Sequence, residues 1–292
     1  MIITRVIGGL GNQMFQYAAA RALSLRLDCP LLLDIRGFDK YSLHNGFELD
    51  RIFSFPAKIA TESEIRNLLG PYRSELSIRL IKYFGLQRYL RSELCFEPYF
   101  HFWSGINQIK SSVYLLGYWQ SEKYFLDAEQ IIREDFRFIG KLSSKNIETL
   151  SRIENSNSVA IHVRRGDYLS HVKNSRIFAC CGVDYYRRAM TYISEKIDKP
   201  VFFVFSDDID YVKEKLAVPF EINFIQENSG KDSHIDMFLM SNCEHQIIAN
   251  STFSWWGGWL NVNPQKIVVA PINWFVNDLN DVDLVPTDWV RL

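Results

Sequence analysis

From Ser158 onward the chain alternates short apolar runs with amphipathic stretches, and this rhythm restricts the fold more than any single motif does. Strand-length apolar runs fall at 158–163, 201–206, 220–225, 245–249 and 266–270. Helix-length stretches fall between them, at 184–197, 208–216, 233–243 and 254–261. Strands this apolar need cover on both faces, and the intervening helices supply it, so the pattern predicts a parallel sheet. Such sheets take their ligands at the carboxyl ends of the strands.

The N-terminal part opens in a related way. "MIITRVIGG" reads as a strand running into a glycine turn, and "CPLLLD" as a second strand ending at Asp34. Between them, "NQMFQYAAARALSLRL" places Met14, Phe15, Ala18, Ala22 and Leu25 on one helical face. Residues 39–140 are less regular, with helical pieces at 61–69 and 74–84 and a strand in "VYLLGYWQS", 113–121. The polar stretch "SRIENSNS" marks the boundary, giving domains 1–150 and 151–292.

Composition removes several classes. Apolar residues make up 47% and charged residues 23%, which supports a full core and excludes a disordered chain. A net charge of −1 argues against a nucleic-acid footprint. Five cysteines at 29, 95, 180, 181 and 243 fit neither a disulfide framework nor a zinc site, and read as reduced thiols. No window approaches a membrane span and no charged leader precedes an apolar run. The expectation is a soluble cytoplasmic protein, or one peripheral to the inner face of the membrane.

Three stretches carry chemistry. In "SVAIHVRRGDYLS", Arg164 and Arg165 emerge from a core strand where a parallel sheet binds its ligand. An arginine fork matches phosphate oxygens two at a time. One of the pair can face an anion while the other pairs internally, with Asp167 as the expected partner. A purely structural Arg–Asp pair is the competing reading. In "GGLGNQMFQYA" the glycines permit a tight turn and Asn12 is placed to cap the helix, whose N-terminus attracts anions. It is a poor dinucleotide fingerprint, because Met14 occupies the third small position, although Asp34 stands where a ribose carboxylate would. In "KDSHIDMFLMSNCEHQIIANSTFSWWGGWL", Ser233 to Asp236 has capping-box form. Asp236 could accept two hydrogen bonds from a guanine edge, or simply be a solvated first-turn acid. "NSTFS" brings hydroxyls to a helix start, and "WWGGW" reads as core at the domain seam rather than a sugar-stacking wall. The Asp208-x-Asp210 pair in "SDDID" reads as a helix cap rather than a metal ligand set.

Together, "GGLGNQMFQYA", "HVRRGDY" and "NSTFSWWGGWL" resemble glycosyltransferase family 11, the α-1,2-fucosyltransferases, almost end to end; "GYWQSEKYF" and "FSDD" fit its bacterial members. An N-terminal membrane anchor like that of the animal members is not expected here, which implies a bacterial enzyme. The resemblance implies an α/β, GT-B-like fold of two Rossmann-like domains with a cleft between them. The first would be the acceptor side and the second would bind GDP-fucose. It implies inverting transfer of L-fucose from GDP-β-L-fucose to the 2-hydroxyl of a terminal galactoside, with no metal or other cofactor. Carried over, Arg164 grips the donor β-phosphate and Arg165 belongs to the same core. His162 and Asp236 are guanine-side contacts, Thr252 and Ser254 lie near the diphosphate, and Asn12 faces the donor. The general base does not transfer, since no glutamate follows the H-x-R-R core. Asp167 is expected to support catalysis, with Asp34 and Glu122 as rivals for the base. Two alternatives remain: an NAD-type oxidoreductase built on the glycine turn, and a non-catalytic carbohydrate-binding protein.

Overall fold

The computed structural model describes residues 1–39, 45–83, 93–165, 181–216, 218–276 and 279–292. The chain forms two α/β units. The first comprises Met1–Ile139 and a returning segment, Val282–Leu284; the second comprises Gly140–Asp281 and Val285–Leu292. The division precedes the 150/151 boundary because the helix Ser144–Glu154 pairs its buried Asn146 with Asn228 of the second unit. The return of 282–284 was not legible. Asp283 is tied to the first unit, accepting from the Phe102 backbone N–H at 3.0 Å and pairing with Lys123.

The first unit has an all-parallel sheet of order β3-β2-β1-β5-β4. Its strands are β1 (Ile2–Arg5), β2 (Leu31–Asp34), β3 (Lys58–Ile59), β4 (Leu94–Phe96) and β5 (Val113–Leu116). Its helices are α1 (Leu10–Arg26), α2 (Leu49–Ile52), α3 (Glu62–Leu69), α4 (Glu75–Tyr83) and α5 (Glu129–Asp135). The expected one-sided face of α1 is replaced by burial on nearly every side from Leu10 to Ser24, Asn12 and Arg21 excepted. The helix packs on β1 and β2 and also against the 3₁₀ turns Glu122–Tyr124 and Leu126–Ala128. The short side chains of Ala18, Ala19, Ala20 and Ala22 suit that double packing.

The second unit has an all-parallel sheet of order β11-β10-β9-β6-β7-β8. Its strands are β6 (Ser158–Val163), β7 (Val201–Ser206), β8 (Glu221–Ile225), β9 (His245–Ile247), β10 (Val268–Ala270) and β11 (Val290–Arg291). Helix α6 (Ser144–Glu154) leads in, followed by α7 (Val183–Ser194), α8 (Ile209–Lys215), α9 (His234–Asn242) and α10 (Thr252–Leu260). All six residues of β6 are buried, the polar Ser158 and His162 included, as a central strand covered on both faces requires. The strand order runs outward from β6 through β7 to β8, and from β9 through β10 to β11 on the other side. The reversal therefore lies between β6 and β9, the position where open α/β sheets bind ligands. Two parallel sheets covered by helices are the expected GT-B-like class.

Trp255 and Trp256 of α10 are fully buried and Trp259 nearly so, so they are core of this unit and not a sugar wall. A Cβ on Gly257 would meet Met240 of α9 at 3.1 Å, and one on Gly258 would meet Trp289 and Val268 at 3.2 Å. The paired glycines are thus what lets α10 approach its neighbours.

Candidate functional site

Because the second sheet is parallel, the loops after β6, β7, β8 and β9 all leave its carboxyl edge. The register pairs Val163 with Ser206, so Arg164 and Arg165 leave β6 beside Asp207 and Asp208 leaving β7. Arg164 Nη1 lies 3.0 Å from Asp207 Oδ2, and the Arg165 backbone N–H donates to Asp207 Oδ1 at 2.9 Å. Arg165 Nε donates to Asp208 Oδ2 at 3.2 Å, and its guanidinium carbon stands 3.2 Å from the centre of the Tyr211 ring. Asp208 Oδ1 also accepts from the Tyr211 N–H at 3.3 Å, capping α8. Asp208 is therefore the helix cap and Asp210 lies in the first turn, as expected, while Asp207 and Asp208 are also arginine anchors, which was not. The legible signal was a double arginine and a double aspartate ending adjacent parallel strands. Asp167, the expected arginine partner, lies outside the described residues.

His162 sits at the end of β6, 6% exposed, with its ring centroid 5.6 Å from that of Phe253 on α10. Its Nδ1 is buried without a hydrogen-bond partner among the described residues. Burial, aided by the Arg164 charge, pushes its pKa down to about 3, so the ring is neutral at physiological pH.

At the end of β9, Ser251 caps α10 by accepting from the Phe253 N–H at 3.3 Å. Thr252 is the half-buried residue that follows it. Ser254 is 1% exposed, and its hydroxyl is directed at the Ala249 and Ser251 carbonyls, at 3.3 and 3.2 Å. In this arrangement Ser251 and Thr252 are the hydroxyls at the helix start, and Ser254 serves the turn beneath.

Asp236 lies in the first turn of α9, half-buried. The expected capping box is not formed. The 3₁₀ turn Gly230–Asp232 runs directly into the helix, leaving Ser233 already helical (φ −56°, ψ −25°) with no side-chain cap. Asp236 Oδ1 instead accepts from Asn228 Nδ2 at 2.7 Å. Burial pushes its carboxyl up to about 7; the Asn228 bond opposes this and the Glu227 charge reinforces it.

Asn12 belongs to the first unit. Gly9, not Asn12, precedes α1, and Asn12 stands inside the first turn. Its Oδ1 accepts from Gln120 Nε2 at 2.7 Å, joining the first turn of α1 to the loop that follows β5. Gln16 reinforces this join by accepting from the Ile7 N–H at 2.9 Å and donating to the Gly117 carbonyl at 3.1 Å. Glu97 clamps the second loop: its two oxygens accept from the Tyr118 and Trp119 amides at 2.7 and 2.9 Å, holding Trp119 at φ +56°. Asp34 is 2% exposed and bonded to Arg36 Nε and Nη2 at 2.9 and 2.8 Å and to the Tyr114 hydroxyl. Burial works to raise its pKa, but those hydrogen bonds prevail and lower it. It is a brace at the end of β2, which removes the ribose carboxylate that the NAD reading needed. Glu122 opens the turn after Ser121, half-buried.

Among the described residues no cluster of His, Cys, Asp or Glu could hold a metal, and no helix is long and apolar enough to cross a membrane. Cys29, Cys95, Cys181 and Cys243 are free thiols.

The family model described as glycosyl transferase family 11 matches residues 97–292. An α-1,2-colitosyltransferase of Escherichia coli is 38% identical, covering 100% of this chain and 99% of its own. The O-antigen biosynthesis glycosyltransferase WbnK of Escherichia coli is 32% identical, covering 98% of each chain. Galactoside α-(1,2)-fucosyltransferase 1 of Aotus azarae is 27% identical over 50% of this chain and 42% of its own length. Among solved structures, Arabidopsis thaliana FUT1 in complex with GDP aligns with a TM-score of 0.51 at 13% identity, covering 91% of this chain and 69% of that one. That last likeness is one of fold.

Proposed function

The chain belongs to glycosyl transferase family 11, and from that premise we propose that it moves L-fucose from GDP-β-L-fucose to the 2-hydroxyl of a terminal galactoside, inverting the anomeric centre. The observation that carries the reading is the arginine pair at the end of β6, fixed by Asp207 and Asp208 beside the strand-order reversal.

In this reaction the C1–O bond to GDP breaks as an oxocarbenium-like centre forms, and negative charge grows on the β-phosphate. Arg164, oriented by Asp207 before the donor arrives, stabilises that charge without reorganising. The start of α10 faces the same edge, where Thr252 and the first-turn amides can take further phosphate oxygens. Neutral His162 and the Asp236 carboxylate serve the guanine side. Asn12 keeps the donor-facing role that the family resemblance gives it. The acceptor hydroxyl attacks C1 from the face opposite GDP and gives up its proton to a base. Asp34 suits that task poorly, since its oxygens are committed to Arg36 and Tyr114. Glu122 stays the rival from the first unit, and Asp167 the candidate beside the arginines. No step of this scheme calls on a metal or other cofactor.

A second donor has a specific observation in its favour, since the relative matched over the whole chain at 38% identity is named for colitose, which is fucose without its 3-hydroxyl. The test offers GDP-fucose and GDP-colitose with a panel of β-galactosides, measuring GDP release and product linkage by NMR. An α-1,2-fucosylated galactoside is the expected product. Turnover with GDP-colitose alone would replace the donor, and a linkage other than 1,2 would replace the acceptor hydroxyl. Release of GDP from neither donor would overturn the reading.

A further inference from the structure

We propose that Asn228, locked by Asn146, is a specificity-determining positioning residue: it orients the Asp236 carboxylate so that its oxygens can accept from a guanine edge, an arrangement that refuses adenine. The inference rests on the reading of Asp236 as the guanine contact.

The two asparagines form a closed amide pair. Asn146 Nδ2 donates to Asn228 Oδ1 at 2.8 Å, and Asn228 Nδ2 donates to Asn146 Oδ1 at 3.1 Å. Asn146 is 2% exposed on α6, and its amide nitrogen also donates to Ser143 Oγ at 3.1 Å, the hydroxyl that caps that helix. With its oxygen and one N–H engaged by Asn146, Asn228 has one N–H left, and that one meets Asp236 Oδ1 at 2.7 Å. The length is typical of a donor meeting a charged oxygen. Flipping either amide would set oxygen against oxygen. The pair is therefore a rigid arm from α6 to the carboxylate, with its donor end at Asp236.

The arm leaves the carboxylate usable. A carboxylate oxygen has more than one lone-pair site, and among the described residues Oδ2 has no hydrogen-bond donor. The guanine edge presents two donors, N1–H and the 2-amino group, and needs two accepting oxygens. The adenine edge presents an acceptor, N1, beside a donor, the 6-amino group. That edge matches a protonated carboxyl, which has one of each. The proton on Asp236 thus decides which purine fits. Burial and Glu227 favour the protonated form and Asn228 disfavours it. The other charged groups nearby are few. Lys145 of α6 lies 3.9 Å from Glu227, and His234 at the start of α9 points Nδ1 at the Lys231 carbonyl at 2.9 Å. Asp232 and Glu148 are exposed, and α10 has no titratable side chain.

The experiment measures GDP and ADP binding by calorimetry on the full chain, for wild type, Asn228→Ala, Asn146→Ala and Asp236→Asn, at several pH values from 6 to 8.5. ADP carries the same diphosphate, so phosphate titration and the arginine contacts cancel in the ratio. Asn228→Ala is expected to cut the GDP:ADP affinity ratio at pH 7 about ten-fold, with recovery at the alkaline end where Asp236 ionises unaided. Asn146→Ala should shift the ratio in the same direction by less. Equal loss of both nucleotides, or an unchanged ratio, in Asn228→Ala would overturn the proposal. If that variant does not fold, Asn146→Ala decides by the same criterion. Asp236→Asn separates the two levels. An unchanged ratio there removes the guanine assignment itself, whereas a lost preference there with an intact one in Asn228→Ala removes only the role of the arm.

Discussion

Replacing Asp236 by asparagine should stabilise the nucleotide-free protein, and the gain should depend on pH. The folded chain holds the Asp236 proton up to about pH 7, against an ordinary value of 3.8. A raised carboxyl pKa means that the unfolded chain releases its proton first as pH rises, so folding stability falls between those two values. At about 1.4 kcal/mol per unit, the full shift corresponds to roughly 4 kcal/mol above pH 7. Asp236 is partly exposed, and solvent screening reduces this to about 1–3 kcal/mol. An asparagine of the same shape avoids the penalty and keeps an oxygen for the Asn228 N–H. Thermal unfolding of both proteins at pH 4.5, 6 and 8 measures the difference. The variant should melt about 3–8 °C higher at pH 8, with the gap closing by pH 4.5. Saturating GDP should reverse the order, because only the wild-type carboxylate takes both guanine donors. A variant that melts lower at pH 8, or a gap that ignores pH, would refute the reasoning.

Other perturbations follow from the same geometry. Arg164→Lys keeps the charge but loses the planar fork, and should lower turnover about 100- to 1,000-fold with the melting temperature unchanged; near-native turnover would make Arg164 a fold element. EDTA should leave turnover intact, because Asp207 and Asp208 are already occupied by two arginines and a helix N–H; loss of activity restored by manganese would contradict this. Gly8→Ala should cost about 1–3 kcal/mol in thermal denaturation, since Gly8 has φ +85° and its new Cβ would sit 2.8 Å from Asn12 Nδ2; an unchanged melting point would show that this turn relaxes freely.

The second unit was legible because its strands are continuous apolar runs whose neighbours follow in order. β6 and β7 fall on the expected residues, and α7 to α10 lie within a few residues of expectation. The first unit was less so. β3 has only two residues, both exposed, and β4 has three, too few for any periodicity. In the site, Arg164, His162 and Asp236 were visible as residue types in suggestive places, while their partners were not. Asn146, Asn228 and Gln16 act through contacts distant in sequence, and an amide carries no chemical signature until its partner is known. Asn12 and Ser233 fail as caps because an N-cap is defined by backbone: Asn12 stands inside the first turn of α1, and Ser233, though it precedes α9, is already helical from the 3₁₀ turn before it.

The pairing of two arginines with two aspartates also bears on how a diphosphate would be held. The four side chains at the ends of β6 and β7 sum to no net charge, and His162 beside them is neutral. A site that bound its anion by bulk positive charge would not place carboxylates there. What this arrangement provides is direction. Asp207 spans the Arg164 side chain and the Arg165 backbone, so the guanidinium of Arg164 is oriented by the strand register itself. Arg165 is pinned between Asp208 and the face of Tyr211. The ordering of both long side chains is completed during folding, before any donor binds. Charge appearing on a leaving phosphate would then meet donors already in place, which is the condition under which electrostatic stabilisation acts on the transition state more than on the bound substrate. On this view Asp207 and Asp208 replace, by positioning two cations, the organising task that a D-x-D metal site performs with one.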